Sequence, residues 1–388
     1  MFNVTPSIAT SRSEGDYRAK GPARALAKTK PRADAFTING RFLSQPVTGV
    51  QRYAREVAAA LDGMLAEKNE TARMLAPESF DRRVAYQAIH CEAASSLRGL
   101  LWEQLQLPRR RSGPVLNLCN MAPLAISDQV VCIHDINTIL QPESYSAAFR
   151  LLYRMMLPLV ARRAARLTTV SVFSANMIAW RLGVRRDDIR VLPNGHEHVW
   201  RWSAAASTIF TRHPPRRPYV LLIGSRAKHK NILGFMLSMA PVLDKLGLDI
   251  WIAGGSSAIF TDFDIECPPN VTWLGMVSDD DLAALYGGAF CLAFPSLTEG
   301  FGLPLIEAMA LGCPVIASDR ASMPEVCGNA ALLADPADPG AWLAEFSKLI
   351  DSPSQRSELV EKGRIRVADF TWAKTARGYR DLLRDIAA

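Results

Sequence analysis

The fold class this sequence predicts is α/β, with two Rossmann-like domains facing a central cleft. Three observations predict it. From residue 34 onward, short apolar runs of buried-strand length alternate with amphipathic helical stretches. Two of the strand-to-helix junctions carry glycines, the pattern expected where backbone N–H groups at a helix N-terminus meet a phosphate. A segment at 211–218, TRHPPRRP, holds Pro214, Pro215 and Pro218 and divides the chain into halves. The 388 residues suffice for two domains, and an apolar content of 49% can fill their cores.

Residues 1–33 carry seven basic and two acidic side chains and supply +5 of the formal net charge of +7. With little to bury, they are expected to form a disordered basic tail, solubilising or drawn to anionic lipid. The first domain, 34–210, opens with the strand DAFTING. Thr48-Gly49-Val50 then starts a helix with Val50, Tyr53, Ala54, Val57 and Leu61 on one face. A strand in ARMLAP, the helical LRGLLWEQLQLP and the strand PVLNLCN follow. QVVCIHD is a strand ending in His134-Asp135. A lone histidine at a strand end is ordinarily structural, but the carboxyl edge of a parallel strand is where such sheets bind ligands. Residues 145–167 read as an interrupted amphipathic helix with Arg150, Arg154, Arg162, Arg163 and Arg166. Between residues 98 and 190 there are thirteen arginines, six acids and no lysine. A solvated face and a membrane-surface patch are both compatible with that bias. The strand LTTVSV, a helix after Ser174 and the strand IRVLPNG complete the domain.

The second domain, 219–370, begins with the strand YVLLIGS, whose Gly224 precedes Arg226, Lys228 and Lys230. Cations at that edge suit a nucleotide diphosphate, because neutralising the leaving group is the main electrostatic demand of its chemistry. A helix and the strand LDIWIAGG come next; the two glycines would let a base or ribose approach the backbone. Residues 371–388 form a last helix.

The densest signal is CLAFPSLTEGFGLPLIEAMALGCPVIASDRASMPEV, residues 291–326. A buried strand runs into a loop with Glu299, Gly300 and Gly302. Pro304 then opens a helix, where its missing N–H costs nothing. Free amides at that N-terminus favour an anion. Glu299 and Glu307 would repel a phosphate unless they hold something else, and sugar hydroxyls fit.

This string resembles the donor-site motif of the retaining glycosyltransferases of family 4, the glycosyl transferases group 1 with the two-domain GT-B fold. GCPVIAS, MPEV and GNAALLADP downstream are similar too, and the resemblance covers nearly everything after residue 34, within a mannosyltransferase-like branch. It implies that Arg226 and Lys230 bind the diphosphate, helped by the Phe301, Gly302 and Leu303 backbone and by the loops at Gly49 and Gly224. Glu299 would hold the transferred sugar, Glu307 the ribose, and His134 the donor sugar through its backbone or ring. Trp102-Glu103-Gln104 and Arg109 to Arg111 resemble one branch in which this region belongs to the acceptor-binding domain. The final helix would cross back to the first domain.

The expected activity is transfer of a sugar, mannose from GDP-mannose, to a saccharide acceptor, lipid-linked in surface polysaccharide assembly. No cofactor and no metal are expected. The expected partners are a nucleotide-sugar, the acceptor and an anionic membrane surface, with no nucleic acid. The expected location is cytoplasmic, peripheral on the inner face of the membrane. A sugar-nucleotide epimerase and a catalytically inactive binding module are the alternatives. The first lacks the paired glutamates in this arrangement; the second would not need the whole set. Seven scattered cysteines without a Cys-x-x-Cys pair read as reduced thiols. No apolar run approaches the ~20 residues that span a bilayer.

Overall fold

A computed structural model of the chain describes residues 35–80, 85–94, 97–255 and 268–387; the tail expected at 1–33 lies outside them. In the first half the elements are β1 (Thr37–Asn39), α1 (Gly49–Glu67), β2 (Ala72–Ala76), β3 (Ile89–Ala93), α2 (Gly99–Arg110) and β4 (Val115–Asn117). They continue with β5 (Gln129–Cys132), α3 (Asn137–Leu140), α4 (Ala147–Arg163), β6 (Arg166–Thr169), α5 (Val172–Leu182) and β7 (Ile189–Val191). A short α6 (Ile209–Arg212) precedes β8 (Tyr219–Ile223), α7 (Ile232–Lys245), β9 (Asp249–Ala253), β10 (Val271–Gly275) and α8 (Asp279–Gly288). Then come β11 (Cys291–Phe294), α9 (Leu303–Ala310), β12 (Val315–Ser318), α10 (Met323–Cys327) and β13 (Leu332–Ala334). Helices α11 (Pro339–Asp351), α12 (Pro353–Val367) and α13 (Trp372–Ala387) close the chain.

Two parallel sheets result, ordered β3-β2-β1-β4-β5-β6-β7 and β10-β9-β8-β11-β12-β13. In each, the strand order reverses direction once, between β1 and β4 and between β8 and β11. The crevice at such a reversal, beyond the carboxyl ends of the strands, is where open α/β sheets bind ligands. Right-handed crossovers put helices on both faces. In the first domain α1 and α13 cover one face, while α2, α4 and α5 cover the other, with Leu157, Val160 and Ile178 buried beneath α4 and α5. In the second, α7 and α11 pack on one face and α8 and α9 on the other. Both sheets are therefore doubly wound.

Local readings shift in several places. Helix α5 begins at Val172 rather than after Ser174, because the Ser171 hydroxyl accepts the Ser174 N–H and caps it there. Helix α4 runs through Pro158 without interruption. The edge strand β3, IHCEA, is too short and polar to stand out in the sequence. Residues 203–212 lie ahead of the prolines yet pack on α8. The Asp280 carboxylate accepts the Ser203 N–H (2.7 Å), and Asp281 accepts from the Ser207 hydroxyl and the Arg212 guanidinium (2.7 Å each). The final helix, α13, lies along α1, where the Tyr53 and Tyr379 hydroxyls are 2.9 Å apart.

Candidate active site

The site is built at the β8–β11 reversal. Gly224 ends β8, and a Cβ there would meet Ile232 at 3.1 Å. The following turn carries Arg226, whose guanidinium lies 4.8 Å over the Trp273 ring, and Lys230. From the other side of the crevice comes the loop after β11. The Lys230 ammonium donates to Glu299 Oε1 (2.7 Å), and the Ser296 hydroxyl donates to the same oxygen (2.7 Å). Glu299 Oε2 takes no bond from the described residues, so an ionised carboxylate keeps an oxygen for a hydroxyl donor. Burial alone would raise the Glu299 pKa; the Lys230 and His229 charges and the two hydrogen bonds outweigh it and hold the pKa below the usual carboxylate value. Lys228, on the same turn, is exposed.

Two glycines are required by geometry. Gly302 sits at φ 94° as the residue preceding α9, a conformation that disfavours side chains. At Gly300 a Cβ would lie 2.7 Å from the His134 carbonyl oxygen, so only glycine lets this loop meet the end of β5. The Phe301, Gly302 and Leu303 N–H groups make no hydrogen bond within the described residues and stand at the positive end of the α9 dipole. The Phe301 ring itself is core, edge-on to Phe370 at 5.4 Å. Only its backbone faces the site.

His134 is placed differently from a side-chain ligand. Its Nε2 lies 2.8 Å from the Leu118 carbonyl, and its ring is edge-on to Tyr53 at 4.8 Å. The ring therefore belongs to the first domain's interior, and the backbone carbonyl is the part beside Gly300. Gly49 opens α1 exposed, with nothing within 4 Å of a Cβ and no side-chain cap from Thr48, which leaves first-turn amides available. The two domains are held together around this crevice. Ser171 and Ser174 hydroxyls donate to the Gly300 carbonyl at 2.6 and 3.1 Å, and Thr298 donates to Asn137 at 3.2 Å. The Glu325 carboxylate accepts the N–H groups of Val172 (2.8 Å) and Phe173 (3.0 Å), so α5 of one domain takes its cap from the other.

Glu307 lies one turn into α9, apart from the Lys230–Glu299 pair. Its Oε1 accepts from His198 Nε2 (2.9 Å) and its Oε2 from the Tyr286 hydroxyl (3.0 Å), and all three residues are buried. The Trp372 indole, a donor only, points at His198 Nδ1 from 3.2 Å, so His198 carries its proton on Nε2 and gives it to Glu307. Each carboxylate oxygen retains a lone pair for a further donor. Sequence reasoning singled out neither His198 nor Tyr286: His198 follows the PNG turn without a motif of its own, and its partner Trp372 is 174 positions away.

Residues 217–352 match the sequence profile of the Glycosyl transferases group 1 family. That segment, the second half of the fold, is a Glycosyl transferases group 1 domain. Among the chain's relatives, the O-antigen chain mannosyltransferase RfbU of Salmonella typhimurium is 30% identical over 231 residues, 59% of this chain and 62% of that protein. O-antigen chain mannosyltransferase B of Escherichia coli is 28% identical over 365 residues, 85% of this chain and 94% of that protein. Sucrose-phosphate synthase from Thermosynechococcus elongatus superposes with a TM-score of 0.68 at 18% identity, over 90% of this chain and 98% of that one. Anabaena HepE, solved with UDP-glucose, gives 0.67 at 16% identity, over 90% and 100%. Such likeness fixes the fold, and the fold is GT-B. The matched residues 217–352 include Lys230, Glu299 and the α9 N-terminus.

Proposed function

We propose that this group 1 glycosyltransferase moves mannose from GDP-mannose to a saccharide acceptor, carried on lipid during surface polysaccharide assembly, with retention at the anomeric carbon. The observation that carries the reading is the pairing of Lys230 with a half-satisfied Glu299 beside three unbonded amides at the α9 N-terminus. Cation and amides form an anion site for a diphosphate; the carboxylate oxygen next to it suits a sugar hydroxyl. The mannosyltransferase names of the relatives support the choice of sugar.

In the proposed step the bond from the anomeric carbon to the diphosphate oxygen breaks, with its electron pair leaving on the nucleotide. The acceptor hydroxyl attacks the same face, and its proton passes to the departing phosphate oxygen. Arg226, Lys230 and the Phe301–Leu303 amides stabilise the charge that develops there. Glu299 orients the sugar, the His134 carbonyl lies on its far side, and Glu307 takes the ribose hydroxyls. The basic pair does the work a divalent ion would do, so no metal belongs to this reading. The test is incubation with GDP-mannose, other nucleotide-sugars and acceptor saccharides, with the product's anomeric configuration read by NMR. An α-linked mannoside is expected. An inverted product overturns retention, conversion of nucleotide-sugar alone points to an epimerase, and no turnover of any donor overturns the reading.

A further inference from the structure

We propose that Asp135, just beyond the carboxyl end of β5, holds the acceptor saccharide by a hydroxyl next to the one that attacks. The inference rests on the transferase reading above and gives a role to a residue which that reading leaves unused.

Asp135 is half-buried, and its Oδ1 accepts the Asn137 N–H at 2.8 Å, which fixes the side chain at the turn into α3. That local bond occupies one carboxylate oxygen. Oδ2 takes no bond from the described residues and, when ionised, has lone pairs for a hydroxyl donor. The turn is braced from across the cleft. The Asn137 side chain accepts from Thr298 at 3.2 Å, and the His229 N–H donates to the Ser144 hydroxyl at 3.1 Å. Gly300 shows where the carboxylate lies: a Cβ there would stand 3.1 Å from the Asp135 Cβ and 3.3 Å from Oδ2. Oδ2 thus faces the loop that carries Glu299.

Two carboxylates therefore face one cleft from opposite walls, and they are not equivalent. Glu299 has Lys230 and Ser296 as partners; Asp135 has a single backbone N–H among the described residues. Burial raises the Asp135 pKa and the Glu299 charge adds to it, against the Asn137 bond and the His134 and Lys230 charges. A carboxylate in that position gains from a hydroxyl donor that brings no charge of its own. The diphosphate site and Glu299 belong to the second domain, so a donor sugar held there leaves the opposite wall for the second substrate. On that wall Tyr145, Phe149 and Tyr153 stack in sequence at the start of α4, with ring centres 5.8 and 4.3 Å apart. All three are half-buried. Burial raises the Tyr153 pKa to about 12; Arg41 and a hydrogen bond with Asn120 oppose the rise, and the Asp135 charge adds to it. Its hydroxyl thus lies among the polar groups of the first domain. Aromatic rings beside a few convergent polar groups suit a saccharide. The chemistry then selects which hydroxyl Asp135 takes. The attacking hydroxyl gives its only proton to the departing phosphate oxygen, so the bond to Asp135 comes from its neighbour.

The experiment is transfer kinetics of the full-length protein with GDP-mannose as donor. The acceptors are methyl glycosides of mannose, galactose and N-acetylglucosamine, together with their monodeoxy analogues. Wild type is compared with Asp135→Asn and Asp135→Ser, both of which keep an oxygen for the Asn137 N–H. Each variant should lose roughly tenfold to hundredfold in kcat/KM for the acceptor, the worth of one hydrogen bond to a charged group. The Kd for GDP-mannose, by calorimetry, should stay at the wild-type value. In the wild type, removing one hydroxyl next to the attacking position should cost a similar factor. In the variants the same removal should cost nothing further, because the bond is already gone. Normal acceptor kinetics in both folded variants would overturn the proposal and leave Asp135 a helix-turn cap. A weakened donor Kd with acceptor KM unchanged overturns it too, by giving Asp135 to the donor sugar. So do losses from variant and deoxy acceptor that simply multiply. If both variants melt far below the wild type, the deoxy series in the wild type decides, and no costly position there overturns the proposal. Hydrolysis of GDP-mannose without transfer to any glycoside removes this inference alone, whereas no turnover of any donor removes the transferase reading with it.

Discussion

The two sheets reverse strand order at equivalent places, yet they use the two crevices differently. At β8–β11 the strand ends carry a cation, a carboxylate with an open oxygen and unbonded amides. At β1–β4 the equivalent ends are closed by a polar ladder. Asn39 donates to Glu103 (2.6 Å) and Asn117 (2.9 Å), Asn117 donates to Gln129 (3.0 Å), and Arg41 pairs with Glu103 at 3.1 Å. Burial pushes the Glu103 pKa up against the pull of Arg41 and Asn39. Topology supplies a place for a ligand in both domains, but only the residues decide whether polar groups are turned outward or satisfied among themselves.

The comparison can be broken most directly at Lys230. Lys230→Ala should cost on the order of 10²-fold in turnover, as for one lost oxyanion donor, with the fold retained. Turnover close to normal in a folded variant would remove the second crevice from the reaction. Glu299→Gln should also act on turnover, because its contact is to the moving sugar. In the first crevice the opposite pattern is expected. Asn117→Ala leaves one Asn39 N–H and the Gln129 Oε1 without their partner in the interior and should cost about 1–3 kcal/mol in urea denaturation, while turnover per folded molecule stays near wild type. A turnover loss as large as that of Lys230→Ala would make the ladder part of the chemistry.

A smaller effect separates Glu307 from Glu299. Glu307→Gln should raise KM for the donor more than it lowers kcat, since the ribose changes little in the transition state. His198→Ala should copy that split at about tenfold or less, and His198→Gln, which keeps a donor near Glu307, should recover part of it. Equal losses in kcat for both histidine variants would refute a positioning role. A further effect is in pH and is read in stability alone. Burial, then the Lys230 charge, lowers the His229 pKa to about 4. Between its ordinary value near 6.5 and that value the unfolded chain binds a proton that the folded chain refuses. Stability therefore falls as pH falls through this window, by up to ~3 kcal/mol for this one group. His229→Asn should flatten that slope in pH-dependent melting.

What the sequence disclosed follows from how local each feature is. The parallel sheets, α9 and the loop bearing Glu299 are written in contiguous apolar runs and in glycines that nothing larger can replace. The pairing of Lys230 with Glu299 joins two such strings at neighbouring strand ends. The direction of the His134 ring was not legible, because Tyr53 and Leu118 set it from two separate elements. His198 and Tyr286 escaped for the same reason, and the start of α5 was missed because a serine cap outweighed the apolar pattern.

Glu325 makes the cleft measurable from a distance. Its carboxylate belongs to one domain and the helix end it satisfies belongs to the other, so any separation of the two returns the Val172 and Phe173 amides to water. The Ser174 amide, held at 3.0 Å by Ser171 of its own domain, stays covered. Hydrogen exchange at these three neighbouring amides is thus a built-in gauge with its own reference. Exchange at Val172 and Phe173 tracks opening, Ser174 tracks the integrity of α5, and a donor that closes the cleft should slow the first two alone.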